Sequence, residues 1–173
     1  MRQTDNQQAT LDFIRGWLGA AIDCDGTVGC HRTSTQYNRN YKPTVKIFNT
    51  NVTVIDRAHD YLTILDIPHY IRIASSKYHN KTCKPCYSVT IEGFKRCSTA
   101  LPKLIPCLCA KRRQAEIVLE ICQSRLSTPM TRRNKDRLWT DKEHELLKNL
   151  GELNAPNNRR KPRESSTTMS KAG

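Results

Sequence analysis

The sequence predicts an α+β domain of element order αββαββα, followed by one further helix. Three observations predict it. An apolar stretch of helical composition, Thr10 to Gly26, opens the domain. Two pairs of segments rich in β-branched residues follow, at 27–50 and 69–91, each pair joined by a polar loop. After each pair the apolar spacing turns helical, over 52–65 and then over 94–126. A chain of 173 residues can hold one domain with a sizeable core and an appendage.

The first helix, TLDFIRGWLGAAIDCDG, has Thr10 to cap its start, Asp12 in its first turn and Gly26 at its end. Gly19, Ala20 and Ala21 form a run of small side chains flanked by Trp17, Leu18 and Ile22. On spacing alone this pattern reads first as buried packing inside one domain, and it also lets a second helix backbone approach closely. Asp23 and Asp25 then face the negative end of the helix dipole, which is unfavourable without a compensating partner. A divalent cation suits two such carboxylates.

Thr27–Thr35 and Lys42–Thr50 read as the first strand pair. In its second strand Val45 and Ile47 share one face, and Thr44, Lys46 and Phe48 the other. Val54, Ile55, Ala58, Tyr61, Leu62 and Leu65 mark one side of the next helix, which Pro68 follows. His69–Lys77 and Tyr87–Ile91 form the second strand pair around the loop 78–86. Phe94–Leu101 reads as a short helix broken by Pro102 and Pro106. Lys111–Leu126 is a stronger amphipathic helix with Ala115, Val118, Leu119 and Cys122 inward, and a last helix falls near Thr140–Leu150. On this map 1–130 is the core, 131–153 a basic linker (TRRNKDR) with the last helix, and 154–173 a basic tail of disordered composition.

Charge narrows the function. The net charge is +13, spread over core and tail alike, which favours a polyanionic partner and nucleic acid first. The segments 27–55 and 67–91, which hold the strand pairs, contain no acid but carry Arg32, Arg39, Lys42, Lys46, Arg72, Lys77, Lys81 and Lys84. Such a distribution describes one basic sheet face, and β-ribbons fit the major groove. No apolar run reaches the length of a membrane span, and MRQTDNQQ is no signal peptide. The eight cysteines are therefore expected as reduced thiols of an intracellular protein.

Leu18-Gly19-Ala20-Ala21-Ile22-Asp23-Cys24-Asp25-Gly26 resembles, without a gap, the signature of the LAGLIDADG homing endonucleases, departing at its second, third, fourth and seventh positions. The resemblance runs along roughly residues 8 to 126. It takes in Ile47-Phe48-Asn49-Thr50-Asn51, Leu104-Ile105-Pro106 and Lys111-Arg112-Arg113-Gln114-Ala115. It implies the αββαββα fold with a saddle of antiparallel strands, and a sequence-specific DNA endonuclease. It also implies Asp25 as the metal-binding carboxylate, Cys24 as a metal ligand through its backbone carbonyl, and Lys111 beside the scissile phosphate. Asn51 matches the polar residue that orders water. The implied cofactor is Mg2+, with Ca2+ or Mn2+ able to take its place, and the family's cleavage leaves short 3′ overhangs.

One chain carries one motif helix, so a homodimer through Trp17, Leu18, Gly19, Ala21 and Ile22 is expected, on a long and roughly palindromic target. Alternation and family register point to His31, Thr33, Thr35, Thr44, Lys46, Arg72, Ser88 and Thr90 as base readers. Arg32 joins the DNA-binding set, and Arg39, Lys42, Lys77 and Lys81 suit phosphates. The alternatives are a non-cleaving nucleic-acid-binding protein on the same fold, such as a splicing maturase, and a zinc-stabilised regulator built on Cys83-Lys84-Pro85-Cys86. One CxxC lacks the four matched ligands of a structural zinc site, so zinc is not expected. His59, His69, His79 and His144 show no partner pattern. If encoded in an organelle, the protein would reside in a chloroplast or mitochondrion, and otherwise in the cytoplasm.

Overall fold

The computed structural model describes residues 2–35, 38–74, 85–127 and 139–155, with side chains described except at 2–5, 33–35, 38–40 and 74. The expected order is present: α1 (Arg2–Asp25), β1 (Gly26–Thr35), β2 (Asn38–Asn49), α2 (Val52–Ile64), β3 (Tyr70–Ala74), β4 (Cys86–Glu92), α3 (Phe94–Leu104), α4 (Arg112–Ser127) and α5 (Asp141–Asn154). The strands form one antiparallel sheet in the order β1-β2-β4-β3. Joining the two hairpins at β2 and β4 leaves β1 and β3 as the edges.

The helices cover one face of this sheet because alternation sends its apolar side chains there. Val28, Val45, Ile47, Val89 and Ile91 are buried with Leu18, Ile22, Leu62, Leu101, Leu104, Ile117, Val118 and Ile121 in one core. Each such side chain contributes about 1.5–3 kcal/mol on burial. On α4 the buried set includes Ala115, Val118 and Cys122 as expected, with Leu119 partly buried and Ile117 and Ile121 added.

Three boundaries differ from expectation. Helix α1 begins well before Thr10, whose hydroxyl donates to the Asn6 carbonyl in mid-helix at 2.9 Å rather than capping an end. Pro102 lies inside α3, which runs on to Leu104. Helix α5 is longer than its pattern and fully capped. The Thr140 hydroxyl accepts from the Glu143 amide, and the Glu143 carboxylate accepts from the Thr140 amide. Leu146 and Leu150 then seal α5 onto the core, and Asn154 Nδ2 donates to the Val28 carbonyl of β1 at 3.0 Å.

The helix face expected to meet a second copy is used inside the chain. Ile14, Leu18 and Ile22 recur every fourth residue and are buried at 3%, 0% and 1% exposure. Gly19 is buried against the turn at 105–107: a Cβ there would lie 2.8 Å from the Cys107 carbonyl carbon and closer still to its oxygen. The assignment of Leu18, Gly19 and Ile22 to a dimer interface is thus corrected, because core packing takes them first. Trp17 is half-buried with its ring edge-on to Tyr61 at 5.3 Å, and Ala21 is half-buried. The exposed stripe of α1 lies one step round, at Phe13, Gly16, Ala20 and Cys24.

Gly19→Leu should therefore unfold the domain rather than merely separate two copies. The expected loss is about 3 kcal/mol or more, from backbone that cannot move aside. Urea unfolding of the variant checks it, and an unchanged midpoint would refute the packing.

Candidate nucleic-acid interface and active site

The candidate active site lies where the C-terminus of α1 meets the N-terminus of α4. Gly26 permits the junction: a Cβ there would fall 2.6 Å from the Ile22 carbonyl oxygen and 2.7 Å from that of Lys46. Close approach, not a left-handed backbone, is what requires glycine at this position.

The two acids that end α1 have different surroundings. Asp23 turns toward α4, and its carboxylate accepts from the backbone N–H groups of Cys109 at 2.7 Å, Ala110 at 3.0 Å and Lys111 at 2.9 Å. Partial burial pushes its pKa up, but these three hydrogen bonds and the Lys111 charge outweigh that and hold it below the usual carboxylate value. Lys111 reciprocates, its Nζ donating to the carbonyls of Ile22 at 2.8 Å and of Asp23. The ammonium thus satisfies orphan carbonyls at the negative end of α1, while Asp23 satisfies the amides of the turn 109–111 that leads into the positive end of α4. The partner that the sequence argument sought for Asp23 is the protein itself, not a cation.

Asp25 is exposed, and Asn49 Nδ2 donates to its Oδ2 at 3.3 Å. The orientation of that amide is fixed from its other side, because Asn49 Oδ1 accepts from the Asn51 N–H at 2.8 Å. Asn51 itself caps α2, its Oδ1 accepting from the Thr53 N–H at 3.0 Å. The residue beside Asp25 is therefore Asn49, two positions before the one matched from sequence, and Asn51 acts one step back. The strand end told where the chain turns. It did not tell which Asn points inward.

The exposed Asp25 carboxylate presents hard oxygen donors, which suit Mg2+ or Ca2+, while the Asn49 oxygen is turned to the Asn51 N–H. Cys24 is exposed beside them. No group of three His, Cys, Asp or Glu side chains capable of holding a metal occurs among the described residues. The two cysteines of the turn, Cys107 and Cys109, are free thiols, as is Cys86; Cys83 lies outside the described residues.

The sheet face turned away from the helices carries the polar set. His31 pairs with Lys42, Thr27 with Lys46, Lys46 with Thr90, and Arg72 with Ser88, placing these side chains on one surface. His31, Lys42 and Arg72 are exposed there and Lys46 half-exposed. Partial desolvation by its neighbours first, and then the Lys46 charge, lower the His31 pKa from its ordinary value against the pull of Glu92, which favours the neutral ring.

Several expected readers are not presented to solvent on this face. Thr44 and Thr90 are fully buried and Ser88 is 5% exposed, although all three lie on the expected face. Longer neighbours ring them, namely Lys42, Lys46, Glu92 and Tyr70, so the short hydroxyls form a floor rather than a contact surface. Arg32 pairs with Tyr41 and falls on the opposite face by alternation, at the rim beside β1. Thr33 and Thr35 pair with Asn40 and Asn38, but their side chains and that of Arg39 lie outside the described residues, as do Lys77, Lys81, the linker 131–137 and the tail 156–173.

Two features had no sequence signal. Glu92, just past the acid-free stretch, places one carboxylate within the basic face. His59 Nδ1 and His69 Nε2 are 2.7 Å apart, an imidazole pair between α2 and the segment before β3.

No protein-family profile matches the chain, and no curated protein is significantly similar to it in sequence. Solved structures do match in fold. The homing endonuclease I-CvuI, in complex with the I-CreI target in the presence of Mg, superposes with a TM-score of 0.64 at 22% identity over 87% of each chain. The LAGLIDADG homing endonuclease I-GzeII, bound to its DNA target, gives 0.53 at 12% identity, over 80% of this chain and 43% of that one. A double mutant of I-SmaMI gives 0.56 at 14%, over 82% and 45%.

The reciprocal clasp at Asp23 should be measurable. Asp23→Ala should cost about 1–3 kcal/mol, the loss from leaving these amides without their acceptor. With its folded pKa lowered, Asp23 contributes fully above the unfolded carboxylate value of about 3.9, and the contribution is lost as pH falls through the folded value. Asp23→Asn should therefore flatten the acid limb of stability against pH, checked by urea unfolding below about pH 5. Taken together, order, register and superposition establish that this chain has the αββαββα fold of the LAGLIDADG homing endonucleases.

Proposed function

We propose that the protein is a sequence-specific, metal-dependent DNA endonuclease of the LAGLIDADG homing type, active as a homodimer. The observation that carries this reading is the exposed Asp25 carboxylate, oriented by Asn49, at the end of a face bearing His31, Lys42, Lys46 and Arg72. A pure binding surface gains nothing from an acid set beside phosphate. Strand cleavage needs one.

Asp25, with the backbone carbonyl of Cys24, would hold Mg2+, which would supply a Lewis acid and activate water for phosphodiester hydrolysis. Asn49 fixes the rotamer of Asp25, and the backbone of α2 fixes Asn49 through Asn51. Lys111, with two of its three N–H donors spent on α1, keeps a positive charge at the site that offsets charge developing on the phosphate.

One chain brings one such carboxylate. Matching less than half of I-GzeII and I-SmaMI supports two copies acting where those proteins have a single longer chain. The stripe Gly16, Ala20 and Cys24, flanked by Phe13 at 62% exposure, suits helix-to-helix contact across a twofold axis. Two copies of Asp25 then work on the two strands of a long, roughly palindromic target, leaving short 3′ overhangs, as in intron homing.

The test is cleavage of a randomised duplex library with Mg2+ by the chain and by Asp25→Asn. Sequence-specific double-strand cuts that vanish in the variant, with binding kept, are expected. Retention of DNA or RNA without cuts would replace this reading with a non-cleaving, maturase-like binder. Asn49→Ala should slow cutting about tenfold to a hundredfold with affinity nearly unchanged, as for a residue that orients a ligand. Ala20→Leu should give a folded monomer in sedimentation, because that position is exposed in the single chain.

A further inference from the structure

Glu92 ends β4 at a point where the polar face would otherwise be wholly basic. Its Oε2 accepts from the Tyr70 hydroxyl at 2.7 Å and lies 3.5 Å from Lys42 Nζ and 3.7 Å from Arg72 Nη2. The Tyr70 hydrogen bond, and then the Lys42 and Arg72 charges, hold its carboxyl below the usual range despite partial burial, so it is ionised at neutral pH. The Glu92 side chain is 15% exposed and that of Arg72 59%, so the acid lies beneath and the guanidinium above. Arg72 also lies over the Tyr70 ring, with the guanidinium carbon 4.8 Å from the ring centroid.

Arg72 thus has two linked neighbours that favour one placement, the Glu92 carboxylate and the Tyr70 ring. A free arginine on a DNA-binding surface swings to the nearest phosphate, a strong contact that carries no sequence information. The Glu92 ion pair and the Tyr70 ring bias Arg72 against that swing, and the Glu92 charge disfavours a phosphate at this spot. What remains open to the fork is a base edge, and its geometry matches the O6 and N7 acceptors of guanine.

We infer that Glu92 and Tyr70 are positioning residues that set Arg72, one of the expected base readers, to read one guanine in each half-site of the DNA target. This rests on the DNA-endonuclease reading above. Ordering Arg72 before binding removes a cost that would otherwise fall on the complex. Placing an acid under it penalises wrong contacts at the same time.

The experiment is selection of bound duplexes from a randomised library, in Ca2+, by the full chain, Glu92→Gln, Tyr70→Phe and Arg72→Lys. Each selection is paired with affinity for an unrelated duplex. The chain should enrich guanine at one position per half-site, and Arg72→Lys should abolish that preference. Glu92→Gln and Tyr70→Phe should weaken it about tenfold at that position alone. Glu92→Gln should also bind the unrelated duplex more tightly, since it removes a negative charge; a merely structural loss would weaken both. An unchanged guanine preference in Glu92→Gln would overturn the inference while leaving the endonuclease reading intact. So would a uniform loss at every position, or a cytosine preference that depends on Glu92 but not on Arg72. If the chain itself enriches no sequence, both readings fall.

Discussion

The structure depends on the clasp between two helix ends of opposite polarity. At the α1 C-terminus unpaired carbonyls concentrate negative charge, and at the α4 N-terminus unpaired amides concentrate positive charge. Asp23 reaches from the first to the second, and Lys111 from the second to the first. The exchange neutralises both ends with two side chains and fixes the strand β1 that springs from Gly26. It also sorts the two acids of α1. Asp23 is committed to structure, and Asp25, two residues on, is left facing outward.

The element order was legible because local physics and global fold agree in this chain. Alternation of Val45 and Ile47 with Thr44 and Lys46, and the helical spacing of Ile55, Ala58 and Leu62, named both the elements and their buried faces. Orientation within the first helix was less legible. Leu18, Ile22 and Gly19 look equally suited to a partner helix and to an interior, and only the position of the turn at Cys107 decides between them. The competition went to the core, since intramolecular packing carries no concentration cost.

The polar face shows the same limit. Alternation identifies a face but not a height above it. Thr44 and Thr90 are on the expected side and are hidden there by longer neighbours, while Arg32 belongs to the other side by a single step of register. Asn49 and Asn51 illustrate it at the candidate active site. Both sit at the end of β2, and the amide that meets Asp25 is settled by which one caps α2. Glu92 escaped notice because it stands one residue beyond a stretch defined by having no acids.

The C-terminal helix has a protective consequence. A sheet with β1 at its margin offers unpaired backbone groups to any passing strand, and natural proteins shield such margins to stay soluble. Asn154 occupies the Val28 carbonyl, while Leu146 and Leu150 of the same helix lie buried. Helix α5 thus acts as a sheath for the strand that emerges from the motif helix. Chains that have been synthesised only as far as α4 carry that margin bare, so a helix made after the whole sheet is the one that makes it safe among its own copies.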